Sequence, residues 1–365
     1  MHCTVDSTQL TKALRATDKA TAKRMSLAVL QCVLLEATNE TLTVRATNLD
    51  IGIEVQLPAR VKESGVVAVP GDVLGSLLAS GVTGDVTLAL EDTTLNVKTK
   101  TTHTSINTHN ADDFPRIPRL TGGTTLTIGA AELLKGCKSV WYAAATSVMK
   151  PELASVAVRY VNGKMVFVAT DSFRLAEKQV SVRNVAEFDT FLIPVVNVSE
   201  LVRNLEDRSG DVVLTITDSQ IACQFEDTYI TSRIVDGVFP DYGQIIPKEF
   251  TTEVTILKAD FVTALKTSAI FANKFNQIHF DIAPSDKRFS LQTSNSDIGA
   301  AETTLSAALE GDDLEIRFNY RYINDALQSI TADSVVLQFS GVGKPMIMRG
   351  VGDNSFTYLT MPMNR

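Results

Sequence analysis

The sequence predicts an α+β fold built from six copies of one βαβββ unit, paired two to a domain in three tandem domains. Three observations predict it. Three segments, each about a third of the chain apart, align without gaps as a short strand followed by an amphipathic helix. A second copy of the same pattern falls midway through each third. The stretches between these helices read as short alternating strands punctuated by Asp, Asn and Gly.

In the first set, Cys3-Thr4-Val5, Leu126-Thr127-Ile128 and Val254-Thr255-Ile256 coincide as the strand. Leu10, Leu133 and Phe261 then coincide, as do Leu14, Cys137 and Leu265 four residues later, and a basic residue follows each: Arg15, Lys138 and Lys266. Apolar residues two apart mark a strand, and an i, i+4 pair marks one face of a helix. The midway copies repeat the rule at Val67, Val69, Leu74 and Leu78, at Phe191, Ile193, Val198 and Val202, and at Ile316, Phe318, Ile323 and Leu327. The remaining strands include TLTVRAT, DVTLALED, KMVFVATD, DVVLTITD and SVVLQFSG. Each domain should carry two helices on one face and antiparallel strands behind them. The expected domains are 1–120, 121–249 and 250–365, with PRLTGGT reading as linker at the first boundary.

Composition narrows the function. A net charge of −8 argues against an overall basic nucleic-acid surface, and leaves only one in which a few basic residues gather on one face. Cys3, Cys32, Cys137 and Cys223 form no CxxC pair, and His2, His103, His109 and His279 are scattered. The cysteines therefore read as core residues in a reducing compartment, with no metal or cofactor expected. The N-terminus lacks a basic-then-apolar signal, and no apolar run approaches membrane-spanning length, so a cytoplasmic protein without a membrane partner is expected. There is no GxGxxG, P-loop, GxSxG or HExxH motif. Asp171 beside Arg174 is the most suggestive catalytic pair, and a structural ion pair is the competing reading. No enzyme is expected.

Local motifs then carry a resemblance. Ala169-Thr170-Asp171-Ser172-Phe173-Arg174-Leu175-Ala176, the run from Ser232 to Tyr242 (SRIVDGVFPDY), Ala111-Asp112-Asp113-Phe114-Pro115 one domain earlier, and the ending Met361-Pro362-Met363-Asn364-Arg365 together resemble the beta sliding clamp of bacterial DNA polymerase III, over the whole chain. The resemblance implies a head-to-tail homodimer in which six domains form a ring. It further implies nonspecific encirclement of duplex DNA, with a replicative DNA polymerase, a clamp loader, and repair and translesion proteins docking through short peptides.

Site residues follow from the same resemblance. Arg24 sits where the family contacts DNA, with Lys23, Lys12, Arg15, Lys138 and Lys266 as further candidates on the first helix of each domain. Read as residues alone, these charges serve equally well as solvated helix faces. The peptide pocket maps to Leu153, Thr170, Arg174, Leu175, Pro240, Ile245, Leu359, Met361, Pro362 and Met363. A methionine pair suits varied peptides because its shape adapts, while a packed terminal strand is the plainer reading of Met361 and Met363. Ser172-Phe173 departs from the Gly-His or Ser-His of relatives. Ring closure maps to Thr104 and Ile106 against Ile270 and Phe271 of a second copy. A β-rich scaffold with no DNA role and an enzyme are the alternatives from other classes.

Overall fold

The computed structural model describes residues 1–21, 27–182, 187–206 and 208–363. Six βαβββ repeats are present. The first is β1 (His2–Asp6), α1 (Ser7–Thr17), β2 (Cys32–Thr38), β3 (Thr41–Thr47) and β4 (Ile51–Pro58), followed by a short added strand, β5 (Arg60–Glu63). The second is β6 (Gly65–Pro70), α2 (Gly71–Ala79), β7 (Asp85–Glu91), β8 (Thr94–Lys98) and β9 (His103–Asn107). The third is β10 (Thr124–Gly129), α3 (Ala130–Lys138), β11 (Ser155–Val161), β12 (Lys164–Thr170) and β13 (Arg174–Ser181). The fourth is β14 (Phe191–Pro194), α4 (Val195–Leu205), β15 (Asp211–Ile216), β16 (Gln220–Phe225) and β17 (Thr228–Arg233). The fifth is β18 (Thr252–Leu257), α5 (Lys258–Ile270), β19 (Gln277–Ala283), β20 (Arg288–Asn295) and β21 (Gly299–Leu305), with an added β22 (Ala307–Gly311). The sixth is β23 (Leu314–Asn319), α6 (Tyr320–Leu327), β24 (Ser334–Phe339), β25 (Met346–Gly350) and β26 (Phe356–Thr360).

Local chemistry sets the helices. Asp6 caps α1, its Oδ1 accepting from the Thr8 N–H at 2.9 Å and the Gln9 N–H at 3.1 Å. The apolar stripe of α1 buries Leu10, Ala13 and Leu14, which leaves Lys12 and Arg15 exposed on the opposite side. Asn319 caps α6 in the same way, accepting from the Arg321 N–H at 3.0 Å.

The chain divides into two compact units. One is Met1–Ala131 with Ser199–Ile234; the other comprises Glu132–Arg183, Glu187–Val198 and Val235–Arg365. The first holds a five-stranded sheet, β5-β1-β7-β8-β9, and an eight-stranded sheet, β10-β15-β16-β17-β4-β3-β2-β6. The second holds a nine-stranded sheet, β14-β11-β12-β13-β26-β25-β24-β18-β22, and a four-stranded sheet, β21-β20-β19-β23. Compactness thus cuts across the sequence repeat, because the large sheets are continuous where repeats meet.

One rule generates these orders. The first strand of each repeat pairs into the sheet of its neighbouring repeat, as β1 does with β7 and β6 with β2. The fourth strand of each repeat lies at the end of its own run. Four of the six fourth strands join in two antiparallel seams, β4 with β17 (Ile53 opposite Ile230) and β13 with β26 (Leu175 opposite Leu359). The other two, β9 and β21, end their sheets, paired only on their inner side with β8 and β20 among the described residues.

The cores differ in composition. That of the second unit includes an aromatic cluster, with Phe280 at 5.5 Å from Phe289, 5.4 Å from Phe318 and 6.2 Å from Phe261, all edge-on. Each such ring contributes roughly 1.5–3 kcal/mol by burial. That of the first unit is largely aliphatic, with Leu10, Leu35, Leu42, Val44 and Ile53 shielded from solvent. All four cysteines are buried thiols, and burial pushes Cys3 and Cys32 up to about 11 and Cys137 up to about 12. Such thiols are poor nucleophiles at neutral pH.

Candidate functional site

The seam between β13 and β26 forms the floor of a buried apolar cluster within the second unit. Leu175 and Leu359 face each other there, both buried, and cluster with Val166, Val168, Ile347 and Tyr242. Residues 235–250 cross this floor without forming a helix or strand. Phe239, Ile246 and Phe250 pack partly against it, while Pro240 and Ile245 remain exposed. Tyr242 pins the crossing. Its ring lies edge-on to Phe239 at 6.2 Å and 5.0 Å from the Arg159 guanidinium. Its hydroxyl donates to the Glu177 carboxylate and accepts from Arg159. Burial, reinforced by the adjacent Glu177 carboxylate, raises this phenol well above its ordinary value.

The rim beside the floor is the turn between β12 and β13. Thr170 Oγ1 donates to the Arg174 carbonyl at 2.6 Å and accepts from the Ser172 N–H at 3.2 Å. Asp171 Oδ1 accepts from the N–H groups of Phe173 (2.9 Å) and Arg174 (3.0 Å). Ser172 takes the left-handed conformation, φ 77°, and Phe173 is left 62% exposed at the tip. Arg174 folds back to Asp171 Oδ2 at 3.0 Å and Asp325 Oδ2 at 2.7 Å, with its guanidinium 4.4 Å from the centre of the Tyr322 ring. The Asp171–Arg174 pair is therefore structural.

The final described residues strap this turn to β23. The Met361 N–H donates to the Phe173 carbonyl and the Met363 N–H to the Arg317 carbonyl, each at 2.8 Å. Pro362, which has no N–H to leave unsatisfied, lies between the two donors. Met361 is exposed, and Pro362 and Met363 are half-buried. Leu153, buried, ends the neighbouring loop, whose Glu152 packs beside Gly237. Thr170, Arg174, Leu175, Leu359 and Met361 thus meet through the β13–β26 seam and its turn, with Pro240 and Ile245 on the segment laid across the floor.

Glu177, Arg159, Tyr322 and Asp325 had no assigned role from sequence, and Tyr242 was read only as part of a motif. Nothing local announces Glu177 or Arg159, since their partners lie far away in the chain.

The basic candidates divide by element. Lys12 and Arg15 on α1, Lys138 on α3 and Lys266 on α5 are exposed. Among the second helices, α2 has no basic residue, and Arg203 on α4 is engaged by Glu200. Arg24 and Lys23 lie outside the described residues, as do Asn364 and Arg365.

The closure candidates sit beside the open edges. Ile106 lies on β9 opposite Leu95 but is buried in its own unit, with Thr104 half-buried. Ile270 is 64% exposed at the end of α5. The ring of half-buried Phe271 lies next to Gly299 at the start of β21, and Phe275 and Ile298 add exposed apolar surface. Among the described residues no three His, Cys, Asp or Glu side chains converge as metal ligands, and no helix is long and apolar enough to cross a membrane.

The described residues thus hold a covered apolar cluster at the β13–β26 seam and outer sheet edges at β9 and β21. Three family models, for the N-terminal, central and C-terminal domains of the DNA polymerase III beta subunit, match residues 1–118, 127–241 and 243–364. The chain belongs to the DNA polymerase III beta subunit family. It is 28% identical over 365 residues to the beta sliding clamp of Synechococcus elongatus, covering 97% of each chain, and 24% identical to that of Staphylococcus aureus, covering 100% of this chain and 99% of that one. Among solved structures it is similar to a Bartonella birtlesii sliding clamp bound to griselimycin (TM-score 0.94, 25% identity) and to the Thermotoga maritima DNA polymerase III beta subunit (TM-score 0.93, 24% identity). Both likenesses cover 100% of each chain.

Proposed function

We propose that two copies of this chain close head-to-tail around duplex DNA and tether a replicative DNA polymerase to it, as a processivity factor without catalytic activity. The observation that carries this reading is the inventory of fourth strands. Two pairs are joined in cis, and β9 and β21, the two left over, belong to repeats two and five. A second copy supplies the missing partner for each, with Ile270 and Phe271 beside one edge and Thr104 and Ile106 on the other. The two edges differ, so the contact is heterologous and closes through symmetry.

Encirclement retains DNA topologically, so only weak, nonspecific phosphate attraction is needed from Lys12, Arg15, Lys138, Lys266 and, by resemblance, Arg24 and Lys23. The three family matches support a division near 1–120, 121–249 and 250–365. The apolar seam of the second unit, where Leu175, Leu359, Pro240 and Ile245 gather, is the docking cleft for peptides of the polymerase, the clamp loader, and repair and translesion proteins, and griselimycin, which the Bartonella birtlesii sliding clamp binds, serves as its probe. A docked peptide would bury one or two apolar side chains there, each contributing roughly 1.5–3 kcal/mol.

The test is retention on DNA. Loaded protein should stay on nicked circular DNA and be lost when that DNA is linearised, and the double substitution Ile270→Asp, Phe271→Asp should yield a folded monomer by sedimentation. Equal retention on both DNA forms would remove the ring reading.

A further inference from the structure

We propose that Glu177, acting with Arg159 on the Tyr242 hydroxyl, is a positioning residue for the partner cleft: it fixes the height at which Pro240 and Ile245 stand over the Leu175–Leu359 floor. The inference rests on the reading of that cleft as a peptide site. Its first ground is the wall itself. Within residues 240–245 only Tyr242 is buried, and the segment has no helix or strand to hold it. What fixes it from below is the Tyr242 ring and hydroxyl, with partly buried Phe239 and Ile246 packed at either end. That hydroxyl ends on Glu177, which stands two residues along β13 from Leu175 and therefore on the same face of the strand. Glu177 is held in turn, since Gln179 Nε2 donates to its other carboxylate oxygen at 2.9 Å and Arg159 lies at 3.6 Å.

The second ground is independent, because the first unit repeats the device. Glu54 occupies in β4 the place that Glu177 occupies in β13, seven residues beyond the threonine of the turn (Thr47 and Thr170). Glu54 also takes a donor from the segment that follows the next repeat. There the donor is Arg119, stacked 3.9 Å over the Tyr229 ring, with Arg45 Nε supporting the carboxylate at 2.7 Å. In the first unit the tied segment lies flush: Ile117 sits directly on Gly52, and the Tyr229 hydroxyl accepts from the Leu120 N–H and donates to the Pro118 carbonyl. In the second unit Leu175 stands in the place of Gly52, so the segment packs on a side chain instead of on backbone, and the tie to Glu177 sets its height there. A carboxylate that holds a crossing segment at both seams, and that at one of them sets the standing wall of a cleft, does more than add stability.

The experiment uses the full chain and fluorescently labelled griselimycin in stopped-flow binding, with Tyr242→Phe and Glu177→Gln. A wall freed from its tie spends less time in the competent position, which lowers the apparent association rate by that fraction. The expected result is association about fivefold slower in both variants with dissociation unchanged, together with faster amide hydrogen exchange in residues 235–246. Glu54→Gln, the same change at the other seam, should leave griselimycin binding as in the wild type. Ile245→Asp, at an exposed position, should abolish binding. If wild-type protein fails to bind griselimycin, or Ile245→Asp still binds it, the cleft reading falls and this inference falls with it. If Ile245→Asp abolishes binding while Tyr242→Phe and Glu177→Gln associate at the wild-type rate, the cleft stands and the positioning role is overturned. Equal slowing by Glu54→Gln and Glu177→Gln would likewise overturn it, by showing a general loss of fold.

Discussion

The turn at residues 47–51 and the turn at residues 170–174 are built alike. In the first, Thr47 Oγ1 donates to the Ile51 carbonyl at 2.8 Å and accepts from the Leu49 N–H at 3.0 Å, while Asn48 Oδ1 accepts from Asp50 and Ile51. Leu49 and Ser172 share φ 77°. The Arg233 N–H reaches the Asp50 carbonyl at 2.8 Å, as the Met361 N–H reaches that of Phe173. Both seams are covered, but the crossing segments lie at different depths. The residue just past the turn accounts for the difference. Gly52 admits Ile117 against the backbone, whereas Leu175 fills that space and stops the crossing segment above it. A duplicated backbone was given two surfaces by the size of one side chain.

Exchanging those side chains is the strongest way to break the comparison. Leu175→Gly should remove the floor and cost the second unit about 3–5 kcal/mol by cavity formation, read as a shifted denaturation midpoint. A loss under about 1 kcal/mol would mean that Leu175 does not hold the cluster together. The reverse change is smaller. At Gly52 a Cβ would meet Ile117 Cγ2 and Thr231 Oγ1, each at 2.9 Å, so Gly52→Leu should cost about 1–3 kcal/mol by overpacking. Adding Ile117→Ala should return part of that loss, and a strictly additive double-mutant cycle would show that the two positions do not share the space.

Of similar size is Arg174→Ile, which gives the second turn the residue of the first. The ion pairs to Asp171 and Asp325 are mostly but not wholly buried, so removing the arginine should cost about 2 kcal/mol, less than for a fully buried pair. A loss several times larger in thermal unfolding would make Arg174 the keystone of its turn. The smallest effect sharpens the likeness itself. Leu49→Gly and Ser172→Gly both relieve a left-handed residue and should each raise stability by about 0.5 kcal/mol. Opposite signs at the two sites would mean that the turns are not equivalent.

The repeats were legible because each carries two periodicities, apolar alternation and then an i, i+4 stripe, which even distant copies retain. The strands β5 and β22 were not, because Arg60–Glu63 and Ala307–Gly311 are edge segments without an inward-facing apolar set. At the β13–β26 seam, Leu175 and Leu359 were visible as apolar positions within motifs. Glu177 and Arg159 were not, since an ion pair formed across three strands leaves no periodic trace. The sequence match between Phe114-Pro115 and Phe239-Pro240 has a structural reason, for each pair begins a segment that is tied to a glutamate across its sheet.

The two outer edges, of β9 and β21, also have a consequence for how copies assemble. Unlike edges that attract each other can chain without limit, so the same contact that closes a two-membered ring can grow a filament. What separates the outcomes is local concentration. Once two copies have joined at one end, their remaining edges meet at an effective concentration on the order of millimolar. Chains below that concentration should therefore close rather than polymerise, and a substitution that stiffens or reorients one repeat could redirect the protein into fibres without weakening either edge.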